Sequence, residues 1–127
     1  MPRPWRDKFR DAFLGLWIAA RQERSYHVHL PMAAGVLLAG FLLRVALIEA
    51  CVLGLCVTIV LAAETFNTAI ERLAKEITRE QNAGIAAALD MASAAVLLTA
   101  LGAAAVGGTI FLYRLGLLLH WWPPTTP

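Results

Sequence analysis

The sequence predicts an all-α membrane protein, with an N-terminal amphipathic helix at the membrane interface followed by three transmembrane helices. Apolar residues make up 59% of the 127-residue chain and charged residues only 16%, with a mean hydropathy of +0.64. Soluble domains carry about 25% charged residues. The apolar residues also form long runs, and a helix needs about 20 such residues to cross a bilayer. We therefore expect one membrane-embedded domain over residues 1–127.

The N-terminal helix is predicted over residues 5–24. Its apolar residues recur at helical spacing, and charged residues cover much of the rest; the apolar set is Phe9, Phe13, Leu16, Trp17 and Ala20. A basic amphipathic helix with Trp and Phe on its apolar side is typical of helices that lie in the lipid headgroup region.

The three membrane helices are predicted over residues 28–47, 50–70 and 85–119. Arg44 and Glu49 mark the short turn between the first two, and residues 72–84 form a polar connection before the third. The third helix is rich in Ala and Gly, which predicts close helix–helix packing.

The distribution of basic residues predicts the orientation of the chain. Only two Lys or Arg residues, Arg44 and Arg114, lie outside the N-terminal segment and the connection; the others are Arg3, Arg6, Lys8, Arg10, Arg21, Arg24, Arg72, Lys75 and Arg79. Because Lys and Arg are enriched in cytoplasmic segments, the N-terminus and the connection at 72–84 are expected in the cytoplasm.

A polar face follows the apolar run of residues 50–63. Glu64, Asn67, Thr68 and Glu71 are spaced at i, i+3, i+4 and i+7 and therefore share one side of a helix. Glu64 lies deepest in the membrane, where an ionised carboxylate is costly and takes up a proton readily. This spacing predicts a polar site with Glu64 suited to act as a general base.

Three further acidic residues are expected at one level near the lipid headgroups, less deep than Glu64. Glu23 ends the N-terminal helix, Glu71 lies about two turns from Glu64, and Asp90 begins the third membrane helix. Magnesium is usually bound by one or two carboxylates together with substrate phosphates, which fits Glu23 and Glu71. The sequence contains neither the GxxxxGK[ST] nor the GxGxxG motif of soluble nucleotide-binding domains.

Three segments resemble the small bacterial membrane kinases that phosphorylate diacylglycerol or undecaprenol. The first is ETFNTAIE at 64–71, which is similar to the family's Glu-x-x-Asn-[Ser/Thr]-Ala-x-Glu run. The second is DMASAAV at 90–96, and the third is AFLGL followed by RQERSYHVH at 12–29. The combination of Glu23, Arg24 and His29 looks more like the undecaprenol kinase branch.

The resemblance implies a homotrimer in the bacterial cytoplasmic (inner) membrane, with active sites at the cytoplasmic side between subunits. It implies that Glu64 is the base that activates the lipid hydroxyl, that Asn67 and Thr68 support the site, and that Ser93 borders the lipid. The acceptor would be undecaprenol or, as the alternative, diacylglycerol. No nucleic-acid partner is expected.

The resemblance also implies ATP as phosphoryl donor and Mg²⁺ as cofactor. Glu23 and Glu71 would bind the metal with the nucleotide, and Glu80 and Asp90 would contact the nucleotide.

Two positions depart from the family pattern. Leu89 stands where the family usually has a phosphate-binding Lys, and Lys75 stands where it often has Asp. Lys75 or Arg79 is a candidate replacement for the missing cation. Two other functions remain open at this point: a non-catalytic membrane scaffold, which Leu89 favours, and a small transporter that uses Glu64 as a proton site.

Overall fold

The computed structural model describes residues 3–22, 24–121 and 123, and these residues form four α-helices. The helices are α1 (Trp5–Gln22), α2 (Tyr26–Leu42), α3 (Leu47–Ile77) and α4 (Ala83–Leu118). The predicted all-α class is confirmed, as is a helix over most of 5–24. The position of α1 at the membrane interface stays a prediction.

Two helices, α3 and α4, are long and apolar enough to cross a membrane. The second helix, α2, has 17 residues, and a third span is counted only if α1 and α2 are taken together as one span bent by 101°. The predicted first membrane helix was wrong at its C-terminal end, because α2 ends at Leu42 and Leu47 already belongs to α3.

The turn between α2 and α3 explains this early end. Arg44 adopts a left-handed backbone conformation with φ of 51°, which a continuing α-helix does not allow. Glu49 lies in the first turn of α3, where its Oε2 accepts a hydrogen bond from the Ala46 backbone N–H at 2.7 Å. The same oxygen is 2.6 Å from Nε of Arg114 on α4. Glu49 therefore starts α3 and joins it to α4.

The polar connection is shorter than predicted, because α3 continues to Ile77. Residues 64–77 thus belong to the same helix as the preceding apolar run. At the start of α4, Oδ1 of Asn82 accepts hydrogen bonds from the backbone N–H groups of Gly84 and Ile85 at 2.9 and 3.1 Å. This side chain satisfies two of the free amide groups at the helix N-terminus.

Helices α2, α3 and α4 meet at Leu53, which is buried. A Cβ atom built on Gly107 of α4 would stand 3.5 Å from Cδ2 of Leu53, and one on Gly40 of α2 would stand 3.7 Å from Cδ1. Gly107 thus lies against Leu53, although an added Cβ would make only an ordinary contact there. At Gly102, an added Cβ would meet nothing within 4 Å.

Much of the apolar surface of the described residues is exposed. Phe41 is 80% exposed and Leu47 is 82% exposed, and Phe13 and Trp17 on α1 are also exposed. Exposed apolar surface on this scale is expected where lipid or another subunit covers a protein.

Candidate active site

The start of α2 is fixed against α3 by a buried tyrosine. Tyr26 is 1% exposed, and its hydroxyl forms hydrogen bonds with the Thr65 hydroxyl and, at 3.3 Å, with the Leu61 carbonyl oxygen. The Thr65 hydroxyl also donates to the Leu61 carbonyl at 2.7 Å. Buried hydroxyl groups without such partners are costly, so these bonds set the register of the two helices.

This register brings His29 to Glu64. His29 lies three residues after Tyr26, on the same face of α2, and its Nε2 is 3.6 Å from Oε2 of Glu64. Glu64 is 3% exposed. His29 was not among the predicted site residues. The three-residue spacing from Tyr26 could have placed both on one face, but it does not reveal which residues of α3 they contact.

The predicted polar face is assembled on α3. Asn67 and Thr68 are buried beside Glu64, and Glu71 is partly buried. The Asn67 side-chain amide donates a hydrogen bond to Oε1 of Glu71 at 2.8 Å. The other amide atom of Asn67, Oδ1, is buried and has no hydrogen-bond partner among the described residues. An oxygen in this state is available for a ligand that the chain does not itself supply.

An apolar cavity of about 190 Å³ lies between α2, α3 and α4. Its wall includes Val36, Leu53, Leu61 and Phe111, and His29 also lines it. The cavity therefore extends through the apolar part of the helix bundle and reaches the imidazole that contacts Glu64.

A second cavity, of about 390 Å³, lies where the end of α3 faces the start of α4. Charged side chains from the polar end of the molecule line it, together with Leu89; they are Glu71, Lys75, Arg79 and Glu80. Glu71 thus belongs both to the polar face with Asn67 and to this charged cavity.

Two predicted residues lie apart from the charged cavity. Asp90 and Ser93 are exposed on α4 and do not line it. Glu23, predicted to bind metal and nucleotide, lies outside the described residues. The structure therefore places Glu71 and Glu80 at the charged cavity, with Asn67 bonded to Glu71. Glu64 and Thr68 lie on the same face of α3 but do not line this cavity.

The sequence profile of the family described as prokaryotic diacylglycerol kinase matches residues 10–111. The chain belongs to this family. The match includes α2, α3 and most of α1 and α4, together with the polar face and the residues that line both cavities. The candidate site therefore lies within the part that the chain shares with this family of lipid kinases.

Two curated relatives are kinases. The undecaprenol kinase of Bacillus subtilis (strain 168) is 36% identical over 107 residues, covering 84% of this chain and 87% of the relative. The diacylglycerol kinase of Synechocystis sp. is 33% identical over 105 residues, covering 82% of this chain and 60% of the relative. The chain thus spans less than two thirds of the cyanobacterial protein. No solved structure matches.

The oxygen atoms of this polar face suit a magnesium ion. Within the described residues, no three His, Cys, Asp or Glu side chains are grouped so that they could hold a metal. Glu71 and the unpartnered Oδ1 of Asn67 nevertheless offer oxygen ligands next to each other. Magnesium needs few protein ligands when substrate phosphates supply the rest, so the donor set fits an ion that arrives with a nucleotide.

Proposed function

We propose that the protein transfers the γ-phosphoryl group of ATP to the hydroxyl group of a membrane lipid alcohol, most favourably undecaprenol. The observation that carries this proposal is the buried carboxylate of Glu64, next to a histidine that lines an apolar cavity. A soluble substrate would not need an apolar route to the base, whereas the chain of a lipid alcohol would. The identity to an undecaprenol kinase supports the same acceptor.

Glu64 acts as the general base in this proposal. The carbons next to the hydroxyl group of the lipid occupy the apolar cavity and bring this hydroxyl group to the carboxylate. Glu64 accepts the hydroxyl proton while the oxygen attacks the γ-phosphorus of ATP and ADP leaves. A positioned base of this kind typically accelerates proton transfer by about 10²–10⁴-fold. Ser93 borders the exposed path of the lipid along α4, and Thr68 supports the buried end of the site.

The charged cavity binds the nucleotide. Glu71 and Asn67 hold Mg²⁺ through oxygen atoms, with Glu23 as a further ligand, and Glu80 and Asp90 contact the nucleotide. When bound, the ion would neutralise phosphate charge, which is the main requirement in phosphoryl transfer. Lys75 and Arg79 line the cavity together with Leu89, and they supply the cations that Leu89 does not.

The protein functions in the bacterial cytoplasmic membrane, with its N-terminus and the connection after α3 in the cytoplasm. We propose that α1 lies in the headgroup region and that α2 is the first of three spans. A homotrimer would cover the exposed apolar surface of the helices and complete each site from a neighbouring subunit. In this proposal, residues 1–127 form a single membrane-embedded domain.

Two alternatives differ in specific ways. Diacylglycerol is the second acceptor, supported by the family description and by the cyanobacterial relative. A non-catalytic scaffold is favoured by Leu89, but it gives no reason for a buried Glu64 facing His29. A proton-transporting role for Glu64 likewise does not explain the charged residues that line the second cavity.

Label transfer from radioactive ATP tests the proposal. The purified protein is reconstituted with Mg²⁺ in lipid nanodiscs that contain undecaprenol, diacylglycerol or neither alcohol. We expect label in undecaprenyl phosphate, and none after Glu64→Gln. Transfer mainly to diacylglycerol would reassign the acceptor. ATP binding without transfer to either alcohol would support the scaffold instead.

A further inference from the structure

A histidine of α2 lies against the buried carboxylate of Glu64. Nε2 of His29 is 3.6 Å from Oε2 of Glu64. Both side chains are largely withdrawn from solvent, with exposures of 19% for the histidine and 4% for the glutamate side chain. A carboxylate buried to this degree is costly unless a polar group faces it.

The hydrogen bonds of Tyr26 fix the backbone of α2 near His29. Tyr26, one turn earlier on the same face, is fully buried and hydrogen-bonded to Thr65, the residue after Glu64. The position of His29 relative to Glu64 therefore follows from two neighbouring contacts between α2 and α3.

His29 also differs from the other residues around the apolar cavity. Apart from the Cys56 thiol, it supplies the only polar side chain among the described residues that line this cavity. His27, two residues earlier, is exposed and does not line it. The chain thus places one imidazole where an apolar ligand would end and the buried carboxylate begins.

We propose that His29 is a positioning residue for Glu64. Its imidazole N–H holds Oε2 of the carboxylate, which leaves Oε1 free to face the hydroxyl group of the lipid acceptor. The proposal rests on the kinase function proposed above. The 3.6 Å separation is slightly longer than a hydrogen bond, and contacts of this kind commonly shorten once substrate is bound.

The reaction step balances with His29 unchanged. The acceptor's proton moves to Oε1 of Glu64, and the acceptor oxygen forms a bond to the γ-phosphorus. The bond from that phosphorus to the bridging oxygen of ADP breaks, and ADP leaves with the electron pair. His29 keeps its Nε2 proton throughout, so it acts only through the orientation of Glu64.

Three variants test the proposal by steady-state kinetics in nanodiscs. His29→Leu removes the N–H donor and should lower kcat by about 10- to 100-fold, the effect of misplacing a reacting group by about 1 Å. KM for ATP should change less than about twofold, because the nucleotide cavity does not include His29. His29→Gln retains an N–H group and should recover most of the lost kcat. His27→Leu is the matched control and should match the unsubstituted protein.

An unchanged kcat in His29→Leu would overturn the proposal. A fall in His29→Gln as deep as that in His29→Leu, with both proteins folded, would also overturn it, because the donor would then be irrelevant. A rise in KM for ATP together with the fall in kcat would show a general loss of structure and would likewise reject a positioning role.

A spectroscopic measurement separates this proposal from the kinase function. The imidazole ¹⁵N signals of His27, His29 and His120 are compared in the unsubstituted protein and in Glu64→Gln. We expect only the His29 signal to move. If the unsubstituted protein transfers no label, the kinase function fails, and the signals alone then decide the contact: an unchanged His29 signal refutes it, and a selective change supports it.

Discussion

Helix α3 carries two polar clusters, one near each end of its apolar stretch. The outer cluster contains Glu49, and the inner cluster contains Glu64 and Asn67. The two clusters differ in how completely their polar groups are paired. At the outer cluster, Oε2 of Glu49 is bound by both Arg114 and the Ala46 amide, at 2.6 and 2.7 Å. At the inner cluster, Glu64 has a contact of 3.6 Å, and Oδ1 of Asn67 has no described partner.

This difference separates stabilising groups from groups that await a ligand. Buried polar atoms in folded proteins are nearly always paired, and an exception needs an explanation. The pairing of Glu49 accounts for the joining of α3 to α4. The incomplete pairing at Glu64 and Asn67 is what a site requires if a hydroxyl group and a metal–nucleotide complex are to bind there.

The largest effect is expected at Glu64. Glu64→Gln keeps the size of the side chain but removes the proton acceptor, so kcat should fall by about 10²–10⁴-fold. The free energy of unfolding should not fall, because an amide is less costly to bury than a carboxylate. Activity and denaturant unfolding are measured on the same sample.

Glu49→Gln is the control for this prediction, since it makes the same change at the outer cluster. It should lower stability and leave kcat of the folded protein unchanged. If both substitutions lowered stability and neither lowered kcat, the distinction between the two clusters would be wrong.

The next largest effect is expected at Asn67. Asn67→Leu removes the amide that holds Glu71 and the free oxygen beside it, so the Mg²⁺ concentration for half-maximal rate should rise by about 10- to 100-fold. Thr58→Val is the control, because the Thr58 hydroxyl donates to the Gly54 carbonyl of its own helix, at 2.8 Å. An equal Mg²⁺ requirement in Asn67→Leu and the control would remove Asn67 from the metal site.

A smaller effect is expected at the charged cavity. The double variant Lys75→Gln/Arg79→Gln should raise KM for ATP about fivefold, since exposed charge pairs contribute roughly 1 kcal/mol or less. Adding Leu89→Lys to this variant should restore part of the affinity, because residue 89 lines the same cavity.

Arg44→Gln serves as the control for loss of a cation, because Arg44 lies in the turn between α2 and α3. If KM for ATP were unaltered in the double variant and Leu89→Lys failed to lower it, the result would show that none of residues 75, 79 and 89 binds phosphate.

The smallest effect on activity is expected at Arg114. Arg114→Leu leaves Glu49 without its ion-pair partner and should reduce the free energy of unfolding by about 1–3 kcal/mol. The kcat of the folded protein should not change. The double variant Glu49→Leu/Arg114→Leu leaves no unpaired charge and should regain part of this stability. The gain is partial because the Ala46 N–H loses its acceptor on Glu49. A double variant less stable than Arg114→Leu would contradict this account.

The sequence predicted the helical class and the shared face of Glu64, Asn67, Thr68 and Glu71, because both follow from short-range periodicity. It did not predict the end of α2. No glycine or proline stands next to Arg44 to indicate a left-handed conformation, and the residues around Arg44 are apolar like those of a membrane helix.

The contact between His29 and Glu64 could not be predicted either, since it depends on the register between two helices separated by a turn. Helical spacing places His29 one turn after Tyr26, but the Tyr26–Thr65 hydrogen bond that aligns α2 with α3 joins residues 39 positions apart. The roles of all the candidate site residues remain predictions, including those of Glu23, Asp90 and Ser93.

The apolar cavity has a consequence for how the protein would choose among lipids. Its volume of about 190 Å³ is below the roughly 300–1,000 Å³ of pockets that enclose a drug-sized molecule. A polyprenol or a diacylglycerol therefore cannot be enclosed, and most of its hydrocarbon must remain in the bilayer. The protein would discriminate among alcohols by the shape of the few carbons next to the hydroxyl group and would be indifferent to the total length of the tail.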